Sequence, residues 1–256
     1  MSKFHTISRM IIEQNIEGYR YSIEPFLLAD FIRMQAGFSV LDVGTGCGVI
    51  PLLMTIREPD LQVTAVEVQE SLYNLAVGNI SQNGLINRIR VIHGDFLQVA
   101  PTLEKETFDL AISNPPYRKA DTGRKNPNGE KAIARHEILL NLAAILKHSA
   151  PLLKPGGKIA LAYPPLRLNE TLTEMKTWEL FPSRLRFIHG SREADAKIFL
   201  VEGIKGTRPD CVVEAPLYVY ENENSYTEEM KHIYDSFNHT DGSDDIEKKR
   251  YSGGLG

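Results

Sequence analysis

The tetrapeptide Asn114-Pro115-Pro116-Tyr117 carries residue types suited to handling a conjugated amine. An NH2 group on an aromatic ring or amide is a poor nucleophile, because its lone pair is delocalised. Two acceptors that hold both amine hydrogens would leave that lone pair facing an electrophile. The Asn114 side-chain oxygen and the Pro115 carbonyl are candidates, and two prolines fix their direction. Tyr117 offers a ring to stack on the planar acceptor. A site of this kind works by positioning and preorganised polar groups, without a strong general base. Taken alone, the same residues make an ordinary Asn-Pro turn.

Upstream lies Asp42-Val-Gly44-Thr45-Gly46-Cys-Gly48. The glycines are each two apart and position 49 is Val, so the Gly-x-Gly-x-x-Gly spacing of a dinucleotide fingerprint fails. Asp-x-Gly-x-Gly-x-Gly after a first strand is instead the form used for S-adenosylmethionine. Glycines let the backbone turn tightly and approach a ligand without Cβ clashes. The amino group of the cofactor's methionine part would be accepted by loop carbonyls, directly or through water under Asp42. Glu67, which closes a second strand beside Val68, is placed to accept both ribose hydroxyls, as acids do in dinucleotide folds. Asp95 and Phe96 follow a third strand. Asp95 can accept from the adenine amine or cap a helix, and Phe96 can present its backbone N–H or its ring. His93 reads as packed or solvent-facing, with no second metal-type ligand at useful spacing. Loop and tetrapeptide together predict methyl transfer from S-adenosylmethionine to a planar, conjugated nitrogen.

Alternating strands and helices must position these residues. The sequence predicts strands at Val40–Val43, Leu61–Val66, Arg88–Ile92, Phe108–Ser113 and Lys158–Ala162. Helices are predicted at Val49–Arg57, Glu70–Gln82 and His136 to about Ala150, the last stopped by Pro151 and Lys154-Pro-Gly-Gly157. Such alternation implies a parallel sheet covered on both faces, with ligands beyond the carboxyl ends of its strands. Leu185–Ile188 and Ile198–Val201 are joined too closely for a crossover, which makes them antiparallel. The predicted fold class is therefore α/β: a class I, Rossmann-like methyltransferase fold whose mostly parallel seven-stranded sheet ends in an antiparallel hairpin. Val212–Tyr220 is expected to add an edge strand. Before the core, Met10–Gln14 and Gly18–Ser22 read as a small hairpin and Pro25–Met34 as a helix. We expect residues 1–35 to cap the cofactor site, 36–220 to form the catalytic domain and 221–256 to be a polar tail, disordered at its end.

The 256 residues are 42% hydrophobic, enough for one large core. The net charge of −4 excludes a wholly basic nucleic-acid binder, so any RNA contact needs a local patch. Two cysteines, Cys47 and Cys211, argue against a disulfide scaffold or zinc site and fit a reducing cytoplasm. No apolar stretch approaches a membrane span.

Gly18-Tyr-Arg-Tyr-Ser22, Asp42 to Gly48, Asn114 to Tyr117 and Ile133-Ala-Arg-His-Glu137 together resemble the bacterial valine-tRNA adenine-N6 methyltransferases. Lys197–Gly203 and Pro216–Tyr220 match the same group, so the resemblance spans about Met10 to Tyr220. It implies S-adenosylmethionine as donor and an adenine beside the anticodon as acceptor, and it adds Tyr21 and Ser22 to the cofactor-binding residues. Glycine loop and Asn-Pro-Pro-Tyr are shared with methylases of DNA adenine, ribosomal guanine and a release-factor glutamine. Only the Gly-Tyr-Arg-Tyr-Ser and Ala-Arg-His-Glu segments narrow the choice. Between Arg118 and Arg135, six basic residues face two acidic ones. Arg118, Lys119, Arg124, Lys125 and Arg135 there are candidate phosphate contacts, with Tyr117 on the base. Arg184, Arg186, Arg192 and Lys197 form a second candidate strip. The expected partner is RNA, in particular tRNA. The alternatives are N5-methylation of a release-factor glutamine and a noncatalytic S-adenosylmethionine- or RNA-binding module. The sequence is silent on oligomeric state.

Overall fold

The computed structural model describes residues 2–7, 10–15, 23–115, 141–222 and 225–237. The chain opens with an antiparallel hairpin, β1 (Ser2–Ile7) and β2 (Met10–Asn15). The hairpin predicted from Met10 thus pairs with the segment before it, and Gly18–Ser22 falls outside the described residues. Helix α1 spans Glu24–Phe31, with Glu24 in its first turn where the helix dipole favours an acid. It ends short of the expected Met34. The Phe31 carbonyl accepts from the Arg184 guanidinium, which also lies 4.1 Å from the Phe31 ring centre.

Strand and helix then alternate: β3 (Ser39–Val43), α2 (Val49–Arg57), β4 (Gln62–Glu67), α3 (Glu70–Gln82), β5 (Ile89–His93), the single turn α4 (Phe96–Val99) and β6 (Phe108–Ser113). After an undescribed stretch come α5 (Leu142–Ser149), β7 (Leu153–Tyr163), α6 (Leu168–Thr177), β8 (Leu180–His189) and β9 (Ala196–Lys205). Of the helix expected from His136, the part before Asn141 lies outside the described residues. Asn141 is extended and caps α5, accepting from the Ala144 amide at 2.8 Å. Lys154–Gly157, read as a helix stop, lies inside β7, where the register against β6 shifts. Helix α6 has no counterpart in the expectations.

The sheet runs β5-β4-β3-β6-β7-β9-β8. Strands β3 to β7 are mutually parallel, and β9 is antiparallel to both neighbours. The predicted edge strand is two short pieces, β10 (Val212–Val213) and β11 (Leu217–Tyr218), both parallel to β8. One hydrophobic core lies on each face. Val40, Leu110 and Ile112 point into one, with α1, α2 and the end of the chain; Leu41, Val43 and Ala111 point into the other, with α4 to α6. Burial on both faces explains the unbroken apolar runs of the central strands.

Within the segment read as a polar tail, β12 (Tyr220–Asn222) and β13 (Ser225–Tyr226) pair and lead into α7 (Glu228–Ser236). Met230, Ile233 and Phe237 are buried in the first core. The Phe26 ring meets Tyr234 and Phe237 edge-on at 4.8 and 5.8 Å.

Candidate active site

Strand order reverses between β3 and β6, which places the loops after these two strands side by side at the carboxyl edge. Asp42 is in register with Ile112, so the glycine loop and Asn114 emerge from adjacent strands. Ser113, fully buried, donates its hydroxyl to the Val43 carbonyl at 2.8 Å and ties the two strand ends together.

The loop is built on left-handed glycines, with φ of +75° at Gly44, +60° at Gly46 and +81° at Gly48. The amides of Gly44 and Thr45 both donate to the Val66 carbonyl, at 2.9 and 3.1 Å. A Cβ at Gly48 would press on Ala76 of α3 at 3.4 Å, whereas one at Gly46 would meet nothing within 4 Å. Gly46 therefore faces open space with its backbone bared, as a loop that cradles a ligand requires. Glu67 is buried at the end of β4. Its two oxygens accept from the Gly46 and Gln69 amides, each at 2.8 Å. It straps the loop to β4, a task the sequence reading missed. A carboxylate has about four lone-pair sites, so accepting from ribose hydroxyls remains compatible with both bonds.

Asp42 is buried beneath this loop. Burial, reinforced by the nearby Glu67 charge, raises its pKa from 3.8 to about 7. The Thr45 hydroxyl lies near enough to oppose the shift. Even so, among the described residues neither carboxyl oxygen nor that hydroxyl makes a hydrogen bond of good geometry. Orphaned acceptors under a glycine loop fit a ligand that brings its own cationic donor, as the amino group of S-adenosylmethionine would. Burial also pushes the Cys47 thiol up to about 11, so this loop residue stays a neutral packing group.

Asn114 is half-buried, and its Oδ1 is buried without a partner among the described residues. An unpaired buried carbonyl is costly unless something fills it, which suits an acceptor waiting for an amine hydrogen. Pro115 is buried beside it. Asp95 caps α4 by accepting from the Leu97 amide at 3.0 Å. The Phe96 ring is buried in the second core near His148, so only its backbone faces the site. His93 is exposed, stacks on Tyr73 at 5.0 Å and meets the carbonyl of half-buried Val68 at 3.2 Å. Tyr21, Ser22, Pro116, Tyr117 and the basic residues Arg118, Lys119, Arg124, Lys125 and Arg135 lie outside the described residues, as does Ile133–Glu137.

Residues 25–177 match the family model described as methyltransferase small domain. The chain belongs to that family. A protein of Aliivibrio salmonicida named tRNA1(Val) (adenine(37)-N6)-methyltransferase is 26% identical over 91% of this chain and 98% of its own length. A protein of the same name from Porphyromonas gingivalis strain W83 is 31% identical over 75% of this chain and 76% of its own. This small-domain methyltransferase thus groups with the relatives its sequence resembles. Among solved structures, a "predicted O-methyltransferase" of Agrobacterium tumefaciens superposes with a TM-score of 0.68 at 20% identity, over 84% of this chain and 97% of the other. M. jannaschii TYW2 in complex with AdoMet gives 0.54 at 17%, over 79% and 84%. At these identities the likeness shows the class I fold.

The candidate strip on β8 and β9 is broken. Arg184 is buried, ion-paired with Glu202 and Glu214, and Arg186 pairs with Glu229. These two arginines dock α1 and α7, because charges this deep need partners. Of the strip only Arg192, which lies 5.1 Å from the Tyr218 ring centre, and Lys197 are exposed. Asn79 on α3, passed over in the sequence, is fully buried and contacts the Cys47 carbonyl. Its signal was a polar residue on the inward stripe marked by Leu72, Leu75, Ala76 and Ile80.

Proposed function

We propose that this chain transfers a methyl group from S-adenosylmethionine to N6 of an adenine in tRNA, beside the anticodon. The observation that carries the reading is that, among the described residues, Asn114 Oδ1 has no partner and lies next to a glycine loop with an equally unpartnered acid beneath it. The printed names of the relatives supply the acceptor. S-adenosylmethionine would bring an electrophilic methyl on a sulfonium. Asp42 and the loop carbonyls hold its amino group, Glu67 its ribose, and Asp95 with the Phe96 amide its adenine edge. Tyr21, Ser22, Thr45 and Val68 complete the contact, the first two from the N-terminal cap.

Asn114 Oδ1 and the Pro115 carbonyl accept the two hydrogens of the target amine. That turns its lone pair out of conjugation and toward the methyl. As the N–C bond formed, the methyl–sulfonium bond would break to leave S-adenosylhomocysteine, and one held hydrogen would then leave to solvent as a proton. Tyr117 stacks on the adenine, which must be unpaired or flipped out to reach this depth. Arg118, Lys119, Arg124, Lys125 and Arg135 hold neighbouring phosphates. The setting is the cytoplasm, where tRNA is available.

Purified protein with isotopically labelled S-adenosylmethionine and unmodified tRNA should yield labelled N6-methyladenosine on nucleoside mass spectrometry. A release factor labelled at glutamine while tRNA stays unlabelled would replace this reading with the glutamine alternative.

A further inference from the structure

The amide of Asn79 fills all four of its hydrogen-bonding positions, three of them on backbone groups of two segments far from it in sequence. Its Oδ1 accepts from the Glu13 amide of β2 at 2.7 Å and from Gln82 Nε2 at 2.9 Å. Its Nδ2 donates to the Glu13 carbonyl at 3.1 Å and to the Cys47 carbonyl at 2.9 Å. Two acceptor and two donor positions are what an asparagine has. One turn on, Asn83 repeats the pattern on β2, accepting from the Ile11 amide at 3.0 Å and donating to the Ile11 carbonyl at 2.8 Å. Ile11 and Glu13 are alternate residues, the two whose backbone groups face away from β1. Side-chain amides of α3 therefore stand in for a third strand along that edge. Only Asn79 continues the link to the cofactor loop, because Cys47 sits between Gly46 and Gly48.

We infer that Asn79 is a positioning residue that locks the N-terminal hairpin and the glycine loop to each other, so that cofactor binding and hairpin order are coupled. The inference rests on the cofactor reading above. The Cys47 carbonyl anchors the peptide between two left-handed glycines from the side of α3, while Glu67 and the Val66 carbonyl hold the loop from β4. Releasing it frees the turn that must be fixed before a ligand can lie on Gly46. Linkage then works in both directions: whatever orders the loop on binding also orders β2.

The test combines calorimetry with hydrogen exchange, using S-adenosylhomocysteine on the full chain. In the native protein the ligand should bind, and should slow exchange of the Ile11 and Glu13 amides although neither belongs to the cofactor-binding set. Asn79→Ala should bind about tenfold more weakly, the scale of one buried hydrogen bond with its abandoned partner, and the slowing should vanish. Asn79→Asp keeps the acceptor for the Glu13 amide but lacks both donors. Its oxygen then faces the Glu13 and Cys47 carbonyls, so it should melt lower and, assayed below its transition, still show the weaker binding. Asn83→Ala, which frees the Ile11 amide and leaves Cys47 held, should speed exchange at Ile11 with affinity within about twofold of native. Should both Asn79 variants bind like the native chain while melting at lower temperature, Asn79 is merely structural and the inference falls alone. Failure of the native chain to bind S-adenosylhomocysteine would overturn the cofactor reading and this inference together.

Discussion

Asn114 and Asp42 are each a buried acceptor without a partner among the described residues, and they invite opposite tests. Asn114 makes its proposed contact to the reacting amine, so Asn114→Ala should lower turnover by roughly 10²–10³, the scale of one preorganised polar group. S-adenosylhomocysteine affinity should stay within about threefold. Single-turnover methylation alongside calorimetry separates the two quantities, and undiminished turnover would remove Asn114 from the reaction. Asp42 should leave its mark in pH dependence. With a pKa of about 7 it is largely neutral at pH 6 and charged at pH 8. A carboxylate holds an ammonium better than a carboxylic acid does, so cofactor affinity should tighten from pH 6 to 8. Asp42→Asn should flatten that rise. For stability the sign reverses. Between 3.8 and about 7 the folded chain keeps a proton that the unfolded chain has released, so this group's contribution to stability falls as pH rises through that window. Calorimetric titrations at pH 6, 7 and 8 check the first sign, and melting curves of the native chain and Asp42→Asn at pH 5, 6 and 7 check the second.

At the scale of elements, legibility followed local physics. Helices α2 and α3 and strand β6 carry the bounds the sequence predicted, because their apolar periodicity is strong and their neighbours follow at once. The glycine loop and Asn114 were legible for the same reason: both sit where a predicted strand must end. What escaped depends on partners remote in sequence. The β2 hairpin, the early stop of α1 and the burial of Arg184 are set by β1, β8 and each other, and no local window contains those contacts. Strand β7 shows the limit sharply. Pro155-Gly156-Gly157 has turn chemistry and uses it inside a strand: Gly156 is left-handed at φ +75°, and residues 154–157 bulge between the pairs Phe108–Leu153 and Leu110–Lys158. A Cβ at Gly157 would lie 2.8 Å from the Lys154 carbonyl and 3.1 Å from that of Phe108. Gly157→Ala should therefore destabilise by about 1–3 kcal/mol, the cost of overpacking. Urea denaturation should show it, with cofactor affinity unchanged if the protein is assayed below its transition.

For the whole molecule, the end of the described chain is part of the first core. Phe237 is fully buried against Phe26, and Arg57 lies 4.9 Å from its ring centre. Phe237→Ala should cost about 3–5 kcal/mol, and the protein should melt as one unit. Two separated transitions would instead make α7 an appendage. This packing also bears on how the chain is made. Phe26 leaves the ribosome some 200 residues before Phe237 does, and translation at 5–20 residues per second makes that a delay of roughly 10–40 s. Through that interval α1 presents an unsealed aromatic face to its surroundings. A nascent chain stalled before Tyr234 should be held by chaperones that grip exposed apolar helices, and one stalled past Phe237, with both residues clear of the exit tunnel, should be let go.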